Sequence, residues 1–96
     1  MSGFIFEWDE NKNKDNIKKH DISFIEAVTV FADDDAVLIM DQEHSEEEER
    51  FVIIGLSAKP RLLIVCHCYR ASDEVIRIIS ARKATKTESS QYGGVK

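Results

Sequence analysis

No run of apolar residues in this chain approaches the roughly 20 that a membrane-spanning helix requires, so a helical membrane protein is not expected. The first residues, Met1-Ser2-Gly3-Phe4, lack the basic region and long apolar stretch of a secretory signal. Cysteine is scarce. Cys66 and Cys68 are the two present, and they lie one residue apart, too close to staple a small secreted fold through distant partners. A reducing, cytoplasmic setting is therefore expected, with no membrane contact. The sequence also has no internal repeat, and it lacks the Gly-rich loop or nucleophile motif that a small-molecule enzyme of the common classes would carry.

What is present is 96 residues of which 43% are hydrophobic, enough for one core and too apolar for a disordered chain. The expectation is a single domain over residues 1–92 with a frayed tail at 93–96, where Gly93-Gly94 stops the last helix. The net charge of −5 argues against a nucleic-acid ligand until it is divided along the chain. Residues 1–50 hold 15 acidic and 5 basic residues, and residues 51–96 hold 3 and 8, which is −10 against +5. The basic half can serve an anionic ligand although the total is acidic.

Local signals predict the order β-α-α-β-β-β-β-α. A short strand at 4–6 precedes a helix capped by Asp9 and reaching about residue 19. Asn13, Asn16, Ile17 and His20 share one face of that helix. Ser23 and Glu26 have the spacing of a capping box, and Phe24, Ala27, Val28 and Phe31 form the apolar stripe of a second helix over 24–32. Strands are expected at 36–40, 50–57, 62–70 and 74–82, with turns at 58–61 and 71–73, and a last helix at 83–92.

A trial register pairs Ser57 with Leu62 and Arg70 with Glu74. Opposite residues of antiparallel strands project to the same side. One face then collects Phe51, Ile53, Gly55, Ile64, Cys66, Cys68, Ile76 and Ile78 for the helices to cover. The other collects Arg50, His67, Tyr69 and Arg77 among Val52, Ile54, Leu63, Val65 and Ile79. Arg77 within Val75-Ile76-Arg77-Ile78-Ile79 is a cation in an apolar run, which calls for a partner or a ligand. A one-residue slip in pairing would scatter this cluster. Arg82, Lys83 and Lys86 lie where the last strand meets the last helix. They form an anion site with the helix-start amides if the helix begins there, and are ordinary surface bases if it begins later.

Cys66, His67 and Cys68 resemble a metal set, but strand alternation sends His67 to the face opposite both thiols, so no metal or other cofactor is expected.

The ordered set of motifs resembles the BrnT family of bacterial type II toxins over residues 6–92. It comprises Phe6-Glu7-Trp8-Asp9, Asn16 with Lys19-His20, Ser23-Phe24 with Glu26-Ala27, and His44-Ser45 with Glu48-Glu49-Arg50. Gly55, the 62–65 strand with His67 and Arg70, and Arg77-Ile78-Ile79-Ser80-Ala81-Arg82 complete it. Three features depart from the family pattern. Asp33-Asp34-Asp35 stands where Asp-Pro is common, Cys68 stands where a hydroxyl residue is common, and residues 93–96 have no counterpart.

The resemblance implies a RelE-like α+β fold, a small antiparallel sheet with helices on one face. It also implies a ribonuclease that arrests translation. The implied partner is a BrnA-like ribbon-helix-helix antitoxin, with DNA contacted only through that partner. By charge, the antitoxin is expected on the basic face of the C-terminal half.

Cleavage of RNA without a metal needs a base for the 2′-hydroxyl, cations at the phosphate and an acid for the departing 5′-oxygen, and it leaves a 2′,3′-cyclic phosphate. Arg50, Arg77 and Arg82 are assigned to the phosphate. His67 is assigned to proton transfer, with Glu48 and His44 as alternatives. Tyr69, Arg70, Lys83 and Lys86 are the expected RNA contacts, Tyr69 by stacking or hydrogen bonding and Arg70 at the rim or in a structural pair. A non-catalytic RNA- or protein-binding module using the same face is the competing reading, and RNA degradation by the isolated protein separates the two.

Overall fold

The computed structural model describes residues 4–41 and 48–92. Strand β1 spans Ile5–Glu7 and helix α1 spans Glu10–His20. The Asp9 carboxylate accepts from the amides of Asn11 and Lys12 at the start of α1, and Asp21 closes the helix in a left-handed conformation at φ 60°. Helix α2, Phe24–Thr29, runs into a 3-10 turn at Val30–Ala32. Strands β2 (Val37–Asp41), β3 (Arg50–Leu56), β4 (Leu62–Arg70) and β5 (Val75–Lys83) follow, and the short helix α3 covers Lys86–Ser89. The element order is the expected one and the class is α+β.

The five strands lie in the order β1-β5-β4-β3-β2. The sheet is antiparallel from β5 through β2, while β1 lies parallel to β5 at one edge. Both central registers sit one residue from the trial pairing. Ser57 donates its amide to the Arg61 carbonyl, so Leu56, and not Ser57, pairs with Leu62. At the next turn Ala71, Ser72 and Asp73 all have positive φ, and Arg70 pairs with Val75. The β4–β5 ladder then breaks between Cys66 and His67, where Cys66 pairs with Ser80 but His67 pairs with Ile78. The break leaves Ile79 of β5 unpaired, and the two one-residue shifts at the turns turn β4 over. Leu63, Val65, His67 and Tyr69 face the helices, and Ile64, Cys66 and Cys68 face the other way.

The core lies between that face and the helices. Ile22, Phe24, Ala27 and Val30 pack on Ile53, Leu63, Val65, Ile76, Ile78 and Ala81, all buried. Two buried asparagines tie α1 to this core. Asn16 donates to the carbonyls of Ile22 and Ala81 and accepts from the Ala81 amide, and Asn13 accepts from the Phe24 amide. Each side chain satisfies backbone groups that would otherwise be buried without a partner.

The Ser23 hydroxyl accepts from the Glu26 amide, which is half of a capping box. The Glu26 carboxylate does not return to Ser23. It accepts from Ser57 Oγ at 2.6 Å and from Arg61 Nε at 3.0 Å, locking α2 to the β3–β4 turn. The Arg61 guanidinium holds that carboxyl below its ordinary range despite burial.

Gly55 is required for the same packing. A Cβ there would stand 2.8 Å from Val30 Cγ1 and 3.0 Å from Ala36 Cβ. Beside it Asp33 accepts from the Leu56 amide and from the Tyr92 hydroxyl, which pushes the phenol up to about 12. Among the described residues no helix is long and apolar enough to cross a membrane.

Candidate active site

The helices cover one face of the sheet, and the charged residues collect on the other. One transverse row crosses all five strands. Asp41 pairs with Arg50 between β2 and β3. The β3–β4 register, carried one residue past Phe51–His67, sets Arg50 beside Cys68. Cys68 pairs with Arg77, and Arg77 pairs with Glu7. Opposite residues share a side, so the row Asp41-Arg50-Cys68-Arg77-Glu7 lies on the open face, with His67 one residue away on the covered face.

Salt bridges organise this row. Arg77 Nη1 donates to Glu7 Oε2 at 3.0 Å, and Arg70 Nε lies 3.2 Å from the same oxygen. Arg70 thus belongs to the open face beside Arg77, where the trial register had turned it toward the helices. Arg50 Nε lies 3.9 Å from a Glu48 carboxylate oxygen. Burial and the hydrogen-bonded Glu48 carboxylate push the Cys68 thiol up, and burial does the same for Cys66. Both thiols are therefore protonated near neutral pH and behave as small packing groups. Alongside the row lies a hollow of ≈ 240 Å³ between Arg50 and Arg82, floored by Val52, Ile64 and Cys66.

Arg82 is also committed elsewhere. Its guanidinium donates to both oxygens of Glu88, at 2.8 and 2.7 Å, and this fork lowers the Glu88 carboxyl to about 2. Helix α3 begins at Lys86, three residues later than expected, because β5 runs on through Lys83. Thr85 and Glu88 close a full capping box at its start. The expected anion site of helix-start amides with Arg82, Lys83 and Lys86 is therefore not formed. Thr85 Oγ1 caps the Glu88 amide, Glu88 occupies Arg82, and Lys83 and Lys86 are exposed surface bases.

His67 and Tyr69 are the other corrections. His67 is fully buried on the helix side, edge-on to Phe31 at 4.8 Å and to Tyr69 at 5.2 Å, and stacked on Phe51. Its Nδ1 lies 3.2 Å from the Val65 carbonyl, which only accepts, so Nδ1 carries the proton. Nε2 then accepts from the Tyr69 hydroxyl at 3.3 Å. Burial drives the imidazole down from 6.5 to about 4. It is a neutral core group, out of reach of the arginines on the opposite face. Half-buried Tyr69 is committed to the same aromatic cluster. His44 lies outside the described residues.

The structure thus brings together Arg50, Arg70, Arg77, Arg82 and Glu48, and sets His67 and Tyr69 apart. Glu7, within Phe6-Glu7-Trp8-Asp9, joins the site through Arg70 and Arg77, and no local signal marks it as a site residue. Among the described residues no group of three His, Cys, Asp or Glu side chains is placed to hold a metal ion. What the open face offers is a guanidinium array interleaved with carboxylates over an apolar floor, able to bind a phosphodiester and to accept a proton beside it.

No curated protein matches the sequence significantly. Among solved structures, the crystal structure of the Brucella abortus ribonuclease toxin BrnT superposes with a TM-score of 0.65 at 22% identity, covering 86% of this chain and 99% of that one. At that identity the match speaks for the fold. Residues 8–88 match the model of the family described as the ribonuclease toxin, BrnT, of type II toxin–antitoxin systems. That match spans most of the chain, which therefore belongs to the BrnT family of ribonuclease toxins.

Proposed function

We propose that this protein is a metal-independent endoribonuclease whose site is the open face of the sheet. The observation that carries the proposal is the transverse row, which holds Arg50 and Arg77 on one surface with a carboxylate next to each. Arg50 and Arg77 bind the scissile phosphate through forked contacts that never titrate away. Arg82 closes the end of the hollow, and Arg70 extends the cationic surface along β4. Removal of the 2′-hydroxyl proton and protonation of the leaving 5′-oxygen fall to Glu48, beside Arg50, and to His44, which lies outside the described residues. The product is a 2′,3′-cyclic phosphate and a free 5′-hydroxyl. His67, buried and neutral, takes no part.

The remaining proposals follow from the family. The toxin acts in the cytoplasm and arrests translation by cutting RNA. Its fold is of the RelE-like kind, in one domain over residues 1–92. A BrnA-like ribbon-helix-helix antitoxin neutralises it by covering the basic face with acidic or apolar groups. DNA is contacted only through that partner.

The decisive variant is Arg77→Ala. Removing one phosphate-binding guanidinium from a preorganised site is expected to lower cleavage by about two to three orders of magnitude and to abolish toxicity, with the circular dichroism spectrum unchanged. A folded variant with full cleavage and toxicity refutes the site. A wild-type protein that binds RNA without cutting it supports the non-catalytic binding module.

A further inference from the structure

The two helices cover only part of their side of the sheet. They are anchored toward the β3–β4 turn, where Asn16 binds Ala81, Glu26 binds Ser57 and Arg61, and Thr29 Oγ1 accepts from the Ala58 amide. Among the described residues the same side carries an open cleft along β1 and toward the β4–β5 turn. It consists of two grooves, ≈ 500 and ≈ 640 Å³, that meet at Phe4. Phe51, Tyr69, Leu38 and Glu48 line the first, and Phe6 and Phe31 the second. The cleft is continuous with the edge strand β2, where Leu38 is 51% exposed and Met40, on the same side, is 40% exposed. Strand β2 reads Val-Leu-Ile-Met-Asp and carries neither the lysine nor the proline with which soluble proteins blunt an edge.

The rim is acidic. Asp34, Glu49 and Asp73 are exposed, line the grooves and form no ion pair among the described residues. A second copy of this chain is a poor occupant, because self-docking would bring two acid-rimmed surfaces together. A complementary occupant has apolar anchors for the aromatic floor and bases for the rim.

We propose that this cleft is a docking groove for a basic, amphipathic segment of the protein antitoxin. It lies on the side of the sheet opposite the arginine row. The inference rests on the chain being a type II toxin, which its family membership establishes, and does not depend on which residues cut RNA. This segment is a second anchor, separate from the acidic or apolar groups that cover the basic face, and it grips the toxin on a surface that carries none of the RNA-binding arginines. Glu48 borders both surfaces, and at the other groove residues affinity for the antitoxin and turnover of RNA are separable by mutation.

The test uses the full chain and the antitoxin expressed from the same operon. Binding is measured by biolayer interferometry at low and moderate salt, with RNA cleavage by each free toxin variant assayed in parallel. Leu38→Glu is expected to weaken antitoxin binding about tenfold or more, by charging an apolar contact at a sheet edge. The triple variant Asp34→Asn/Glu49→Gln/Asp73→Asn is expected to slow association and flatten its salt dependence. Both variants are expected to cleave RNA as wild type does. Wild-type affinity and salt dependence in both variants overturn the proposal. So does a toxin that dimerises alone and loses dimerisation with Leu38→Glu, since the occupant is then a second copy. A wild-type toxin that does not cleave RNA refutes the ribonuclease site and leaves the binding comparison decisive for the groove.

Discussion

Acidification is expected to loosen this protein through one residue, His67. The imidazole is fully buried among Phe31, Phe51 and Tyr69, and its titration falls from 6.5 to about 4. Between these values the unfolded chain takes up a proton that the folded chain refuses. Stability from the neutral ring is therefore complete above pH 6.5 and drains away as the pH falls toward 4. A depression of about 2.5 pH units corresponds to about 3 kcal/mol in the limit, of which about 2.5 kcal/mol is gone by pH 4.5. Urea unfolding from pH 7.5 to 4.5 reads this directly, with His67→Phe as the reference. Phenylalanine keeps an aromatic ring in the cluster and cannot titrate, so the carboxylates contribute equally to both curves. The stability difference between wild type and variant should move by about 2.5 kcal/mol across the range, in favour of the variant at low pH. Parallel curves refute the buried, neutral histidine. The same variant is expected to keep its ribonuclease activity at neutral pH. A folded His67→Phe protein without activity returns His67 to the proton-transfer step.

Two further expectations concern packing. Asn16→Ala leaves the Ile22 carbonyl and both backbone groups of Ala81 without a partner at a buried site, a loss of about 3 kcal/mol or more by chemical denaturation. A loss under about 1 kcal/mol contradicts the reading of Asn16 as the tie between α1 and β5. Gly55→Ala places a methyl 2.8 Å from Val30 Cγ1 in a strand with no room to shift, which is expected to cost about 1–3 kcal/mol and to lower the melting temperature. An unchanged melting temperature contradicts the close approach of the 3-10 turn to β3.

Elements were legible in the sequence where a local rule selects them, and registers were not. Asp9, Ser23 and the stripe through Phe24, Ala27 and Phe31 mark helices because caps and the helical period act over a few residues. The face shared by Asn13 and Asn16 was visible for the same reason, although their burial was not. Strand β4 is apolar on both sides, with Leu62-Leu63-Ile64-Val65-Cys66 in sequence, so alternation leaves its register undetermined. The turn hydrogen bond from Ser57 to Arg61 and the turn that pairs Arg70 with Val75 decided it instead. These one-residue shifts moved His67 and Tyr69 into the core and Arg70 out to the site. Arg50 and Arg77 kept their shared face because each half of the trial pairing was displaced in a way that left β3 and β5 in place. Glu7 was illegible as a site residue because it arrives through a parallel pairing 70 residues away, which no local pattern encodes.

RNA cleavage by the arginine face without a metal is the central proposal for this protein. The most direct measurement is to incubate the purified toxin with a defined RNA in excess EDTA and to identify the new ends. The expected result is cleavage that persists in EDTA and yields 2′,3′-cyclic phosphate and 5′-hydroxyl ends. Cleavage that stops in EDTA and resumes with added divalent cation, or products with 5′-phosphate ends, contradicts it.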